Sequence, residues 1–140
     1  MEDSITGELR DYKFFCFDGN PKYCQVICNR TTNETIDFFD MKWMHQEFKG
    51  LALPYKPYSQ ESIIRPMNFE KMKVFAKELS LGIPFVRIDF YEINGYCFFG
   101  EITFYPAAGF GCFYPEKWNE IMGELINIDI KNASCSKNDL

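Results

Sequence analysis

FVRIDFYEINGYCFFGEITFYPAAGFG, residues 85–111, reads as two apolar strands joined at Asn94-Gly95. An Asn-Gly pair between alternating apolar runs signals a hairpin, because both residues tolerate the left-handed backbone of a tight turn. Yet Arg87, Asp89 and Glu101 stand inside the strands, where an uncompensated charge is costly. Successive strand side chains point to opposite faces. On 85–91, Val86, Ile88 and Phe90 share one face, while Phe85, Arg87, Asp89 and Tyr91 share the other. On 96–104, Tyr96, Phe98, Gly100, Ile102 and Phe104 alternate with Cys97, Phe99, Glu101 and Thr103.

Loop length decides whether the charged faces coincide. A two-residue loop at Asn94-Gly95 sets Ile88 opposite Glu101 and turns that carboxylate into the core, at several kcal/mol. A three-residue loop, Ile93-Asn94-Gly95 with Gly95 left-handed, sets Arg87 opposite Glu101 and gathers Arg87, Asp89, Glu101 and Thr103 on one face. The three-residue loop is the expectation, because it keeps the core dry. Two uses of that face stay open. One is an Arg87–Glu101 cross-strand pair beside a solvated Asp89. The other is a metal–phosphate site. Mg²⁺ takes one or two protein carboxylates and completes its octahedron with phosphates and water, and Arg87 could grip a phosphate oxygen bidentately. In that use, Asp89 and Glu101 repel each other when no metal is bound.

The rest of the chain supplies a frame for the hairpin. DYKFFCF (11–17) and KYCQVICNR (22–30) read as a first hairpin around DGNP, and TIDFFDMKW (35–43) holds a third short strand. Residues 45–65 read as a long loop whose Phe48, Tyr55 and Tyr58 could meet a partner. Asn68 caps a helix that ends at Gly82, with Phe69, Met72, Phe75, Ala76 and Leu79 on one stripe. PAAGFGCFYP is a glycine-rich loop in which Gly109 and Gly111 either cradle a substrate or only turn the chain. Pro115 opens a second helix carrying Trp118, Ile121, Met122 and Leu125 on its apolar side. Residues 1–130 are expected to form one lobe, with 131–140 a frayed polar tail.

Composition narrows the function. At 140 residues, 46% hydrophobic and 18% aromatic, the chain can build one real core. A net charge of −5 with no basic run argues against nucleic acid. No apolar run reaches the roughly 18 residues of a membrane span, and the polar, acidic start is unlike a signal peptide. The six cysteines make one C-x3-C pair, Cys24 and Cys28, without a second knuckle, and His45 is the single histidine. Reduced, mostly buried thiols are therefore expected rather than zinc or disulfides, and a Ser-His-Asp or Cys-His scheme is disfavoured.

Taken together, DYKFFCFDGNPKYCQV, FFDMKW, the Asn68 helix with PFVRIDFY, and FGEITFYPAAGFGCFYPEKW resemble the TupA-like ATP-grasp family, over most of the chain. The resemblance implies an α+β fold: a C-terminal ATP-grasp lobe, an antiparallel sheet with helices packed on one face. It implies ATP and Mg²⁺ (or Mn²⁺) as cofactors. The activity would be carboxylate–amine ligation through an acyl phosphate, in a bacterial, cytoplasmic setting linked to cell-envelope polysaccharide or peptide-polymer synthesis. The partners would be a nucleotide and a carboxylate, amine or glycan substrate.

Carried over by residue, Asp89 and Glu101 match the metal-binding carboxylates. Thr103 stands where the wider superfamily has Asn and would be a weaker ligand. Lys13 matches a basic position facing the phosphates, Arg30 one that binds acyl phosphate or acceptor, and Arg87 one that stabilises the transferring phosphoryl group. Without the family, Lys13 reads equally as an edge-strand lysine, and Arg30 as a solvated loop charge. The family clamps ATP between two lobes, so the resemblance also implies pairing with a first lobe N-terminal to this one. The alternative is a non-catalytic binding or partner-interaction domain that keeps the lobe fold.

Overall fold

The computed structural model describes residues 3–104 and 111–126. The expected tail at 131–140 and Gly109 lie outside the described residues. The strands are β1 (Asp11–Phe17), β2 (Asn20–Cys28), β3 (Thr35–Asp40), β4 (His45–Gln46), β5 (Lys49–Gly50), β6 (Val86–Ile93), β7 (Tyr96–Thr103) and β8 (Phe113–Tyr114). The helices are α1 (Phe69–Ser80) and α2 (Lys117–Glu124). A six-stranded antiparallel sheet runs β4-β3-β2-β1-β6-β7, and β5 pairs separately with β8. The fold is therefore the expected α+β class.

β1 lies between β2 and β6, and all seven of its residues are buried. DYKFFCF is accordingly a nearly unbroken apolar run, as a strand covered on both faces requires. Lys13 sits in the middle of this central strand, not on an edge. The turn into β2 is Asp18-Gly19, both left-handed at φ 47° and 76°. Phe15 opposes Tyr23 while Cys16 opposes Pro21, so β2 carries an extra residue beside its proline. A bulge is where a strand tolerates a residue without an N–H.

Alternation along β1 divides the molecule into two cores. Tyr12, Phe14 and Cys16 point to one face, with Cys24, Val26, Ile88 and Phe90, beneath Phe69, Met72 and Ala76 of α1. Phe15 and Phe17 point to the other, with Ile27, Ile36, Phe38, Phe48 and Met122 of α2. On α1 the buried line is Phe69, Met72, Ala76 and Ser80. Phe75 and Leu79, expected on that stripe, lie at its margin, 39% and 43% exposed. Asn68 holds the N-cap position without a side-chain capping bond. Its amide instead donates to Glu92 Oε2 and to the Gly95 carbonyl, both at 2.8 Å. Glu92 in turn accepts the backbone N–H groups of Met67 (3.0 Å) and Asn68 (2.7 Å). A hairpin carboxylate thus satisfies the start of the helix, where a negative charge is favoured.

The 45–65 segment is less loop-like than expected, since it holds β4 and β5. Phe48 is fully buried, with ring centroids 4.2 Å from Trp118 and 4.5 Å from Phe38. It is a core residue and not a partner contact.

The deciding hairpin closes differently from the expectation. Ile93 opposes Tyr96, so the loop has two residues, Asn94 (φ 51°) and Gly95 (φ 80°). Gly95 is left-handed as expected, but the three-residue loop is not formed. Further along, Phe90 opposes Phe99 while Ile88 opposes Ile102. Gly100 and Glu101 together face Asp89, a bulge that flips the side-chain parity of β7. Glu101 therefore stays out of the core, and Arg87 opposes Thr103 instead of Glu101. Gly100 is the residue that permits this. A Cβ there would lie 2.8 Å from Tyr91 Cε2 and 3.0 Å from the Asp89 carbonyl oxygen.

Candidate functional site

The charges of the hairpin meet on the face opposite α1. Each comes from a different strand position, brought into line by register. β1 pairs with β6 so that Lys13 opposes Asp89, Phe15 opposes Arg87 and Asp11 opposes Tyr91. Asp89 is completely buried. Its Oδ1 accepts Arg87 Nε at 2.8 Å, and its Oδ2 accepts Arg87 Nη2 at 2.8 Å and Lys13 Nζ at 2.7 Å. Arg87 Nη2 also reaches Glu101 Oε1 at 3.1 Å and Thr103 Oγ1 at 3.2 Å. Five of the six expected site residues, Lys13, Arg87, Asp89, Glu101 and Thr103, thus form one connected group.

Arg30 joins only indirectly. Its guanidinium, 53% exposed, pairs with Asp11 Oδ2 at 2.6 Å, and Asp11 Oδ1 lies 3.9 Å from Lys13 Nζ. Asp11 was not singled out from the sequence, where it reads as an ordinary strand-initial aspartate. Its two-residue offset from Lys13, which puts both on one face of β1, was the available signal. Asp11 is buried, and its Oδ1 has no hydrogen-bond partner. Its nearest cation is Lys13, at ion-pair rather than hydrogen-bond distance. Tyr91 lies opposite, its phenol pKa pushed up by burial and by the Asp11 carboxylate beside it.

Electrostatically the group is a strip of alternating charge. The repulsion expected between Asp89 and Glu101 is screened by Arg87, which donates to both. Among the described residues, no three His, Cys, Asp or Glu side chains cluster to hold a metal by themselves. What converges is two carboxylates and a hydroxyl around Arg87 Nη2, all hard oxygen donors sharing one cationic atom. A divalent ion on this face would need further oxygens from a ligand or water.

The strip separates two cavities. One, of about 430 Å³, is polar and is lined by Asp11, Arg30, Thr31, Thr32 and Tyr91 among others. The other, of about 310 Å³, begins beyond Arg87 and is mostly apolar, with five phenylalanines among its lining residues. Cys16, Cys24 and Cys28 are buried, as expected, whereas Cys112 is exposed.

The antiparallel sheet with its packed helices is consistent with an ATP-grasp-like lobe. A family described as TupA-like ATPgrasp matches residues 1–127, and the chain belongs to that family. No curated protein and no solved structure matches it. Among the described residues no helix is long and apolar enough to cross a membrane.

Proposed function

We propose that this chain is the phosphate- and metal-handling lobe of an ATP-dependent carboxylate–amine ligase. The observation that carries the reading is the joining of Lys13, Arg87, Asp89, Glu101 and Thr103 into one hydrogen-bonded strip in a member of this family. When bound, MgATP supplies the phosphoryl group that converts a carboxylate into an acyl phosphate open to attack by an amine. Asp89, Glu101 and Thr103 would hold Mg²⁺ (or Mn²⁺), with phosphate oxygens and water filling the remaining positions. Lys13 and Arg87 neutralise charge on the phosphates, and such electrostatic positioning is most of what phosphoryl transfer asks of a protein. Asp11 holds Arg30 and lies beside Lys13, and so positions both basic groups. Arg30, at the margin, meets the acyl phosphate or acceptor.

In this reading a first lobe completes the clamp over the nucleotide. The setting is bacterial cytoplasm and the product a cell-envelope polysaccharide or peptide polymer. Isothermal titration of the chain with MgATP tests it. Millimolar affinity is expected, on the order of −4 kcal/mol, and Glu101→Gln should remove its Mg²⁺ dependence. An absence of any Mg²⁺-dependent binding would overturn the proposal, and micromolar affinity would overturn the need for a first lobe.

One observation favours a second reading. Both Asp89 oxygens already have cationic partners, so the strip is a self-sufficient ion-pair network without metal. A non-catalytic domain that retains the lobe fold would keep this network, fold normally and bind no nucleotide.

A further inference from the structure

Beyond Arg87 the same sheet face turns from charged to apolar within one strand step. Phe15 is the cross-strand neighbour of Arg87, and Phe85 lies two residues before it on the same side. Their rings are 6.0 Å apart, and Phe85 is 5.2 Å from Phe17. These three rings floor the cavity of about 310 Å³, which Phe104, Phe113 and Met122 help to wall. That volume lies at the lower end of small-molecule sites, which are characteristically apolar with polar groups at one end. Asn119 is the polar side chain among the lining residues. Its Oδ1 accepts the Phe113 N–H at 2.8 Å, so its acceptor is already engaged. Arg87 and Thr103 adjoin the lining without belonging to it: Arg87 lies opposite Phe15 across the strands, and Thr103 precedes Phe104 in the chain.

A second feature concerns Gly123 of α2, which also lines this cavity. A Cβ built there meets nothing within 4 Å. A methyl at this position would therefore displace no neighbour. Phe104 and Ile126 line the same space and remain partly exposed.

We infer that this cavity binds the apolar body, aryl or branched alkyl, of a small molecule whose carboxyl or amino head lies at Arg87 and Thr103. The inference rests on the ligase reading for the role of that head, and names the substrate class the reading leaves open. Cavity size suits a body of phenylpropyl dimensions. It excludes a bare glycan, whose hydroxyls would find no partners among the phenylalanines.

The test uses the full chain, without nucleotide, and four probes: 3-phenylpropanoate, 3-phenylpropylamine, and the head-group controls acetate and propylamine. One phenyl compound is expected to bind at least tenfold more tightly than its own control and than the other phenyl compound. A carboxylate preference assigns the cavity to the acyl donor, and an amine preference to the acceptor. Gly123→Leu, which adds bulk at a lining position, should weaken that binding at least tenfold without lowering Tm. Phe104→Glu, a change at an exposed rim, should do the same if Gly123→Leu fails to fold. Equal binding of the two phenyl compounds would overturn the link to the charged strip. Binding no tighter than the controls, or unaffected by these variants, would overturn the cavity assignment. MgATP titration of the same samples separates the two proposals: a chain that binds the phenyl probe but not MgATP loses the ligase reading and keeps the cavity.

Discussion

Gly100→Ala tests the bulge on which the charged strip depends. The added methyl would sit 2.8 Å from Tyr91 Cε2 and 3.0 Å from the Asp89 carbonyl oxygen. The tyrosine ring can rotate away, but the carbonyl is backbone and is fixed by the sheet. Overpacking of this kind costs about 1–3 kcal/mol. For a chain of this size each kcal/mol lowers Tm by roughly 3–4 °C, so a fall of about 3–12 °C is expected. The strand cannot escape by straightening. Removing the bulge while keeping the two-residue turn would set Glu101 opposite Ile88, toward α1, and bury an unpaired carboxylate at several kcal/mol. Thermal unfolding followed by circular dichroism measures the loss. Repeating the change in a Tyr91→Ala background should shrink the loss without abolishing it, because only the ring contact is relieved. A Gly100→Ala protein that melts with the parent would refute the close approach at Asp89 and, with it, the account of how Glu101 reaches the strip.

The two carboxylates should respond differently to amide replacement. Asp89→Asn leaves Lys13 and Arg87 buried without their shared partner and should destabilise by about 3–5 kcal/mol, whereas Glu101, with its side chain 63% exposed, should lose under about 1 kcal/mol as Gln. If the strip takes a metal, millimolar Mn²⁺ raises the parent Tm and not that of Glu101→Gln; a parent Tm indifferent to Mn²⁺ supports the ion-pair network instead. Phe48→Ala empties the centre of the second aromatic cluster and should cost about 3–5 kcal/mol in urea unfolding; a near-neutral result would place Phe48 at the surface. Burial pushes the Cys16 thiol up to about 12 and the Cys28 thiol to about 11, from 9.0. Both protons are held more tightly in the folded state, so this part of stability is full below pH 9 and declines as pH rises from 9 through 11 and 12. Cys28→Ala should flatten the alkaline slope, and an unchanged slope would contradict the burial.

The apolar runs and turn residues were enough to place each long strand and both helices, because alternation and helical spacing are local properties of the chain. The same parity logic required Arg87, Asp89, Glu101 and Thr103 to share a face, and they do. How they come to share it was not local. A three-residue loop and a two-residue loop followed by a bulge give the same final parity, and the choice rests on Gly100 passing the Asp89 backbone and the Tyr91 ring. Asp11 stayed invisible for a related reason: its importance comes from lying across the sheet from Tyr91 and beside Lys13, a matter of strand order. Lys13 itself could be read as an edge residue until β6 was seen to pair on its far side. Phe48 belonged to an apparent loop until Trp118, 70 positions later, closed over it. Local pattern determines which way a side chain points along its own strand; which groups it then meets depends on contacts between distant segments, and these form only when the whole sheet is assembled.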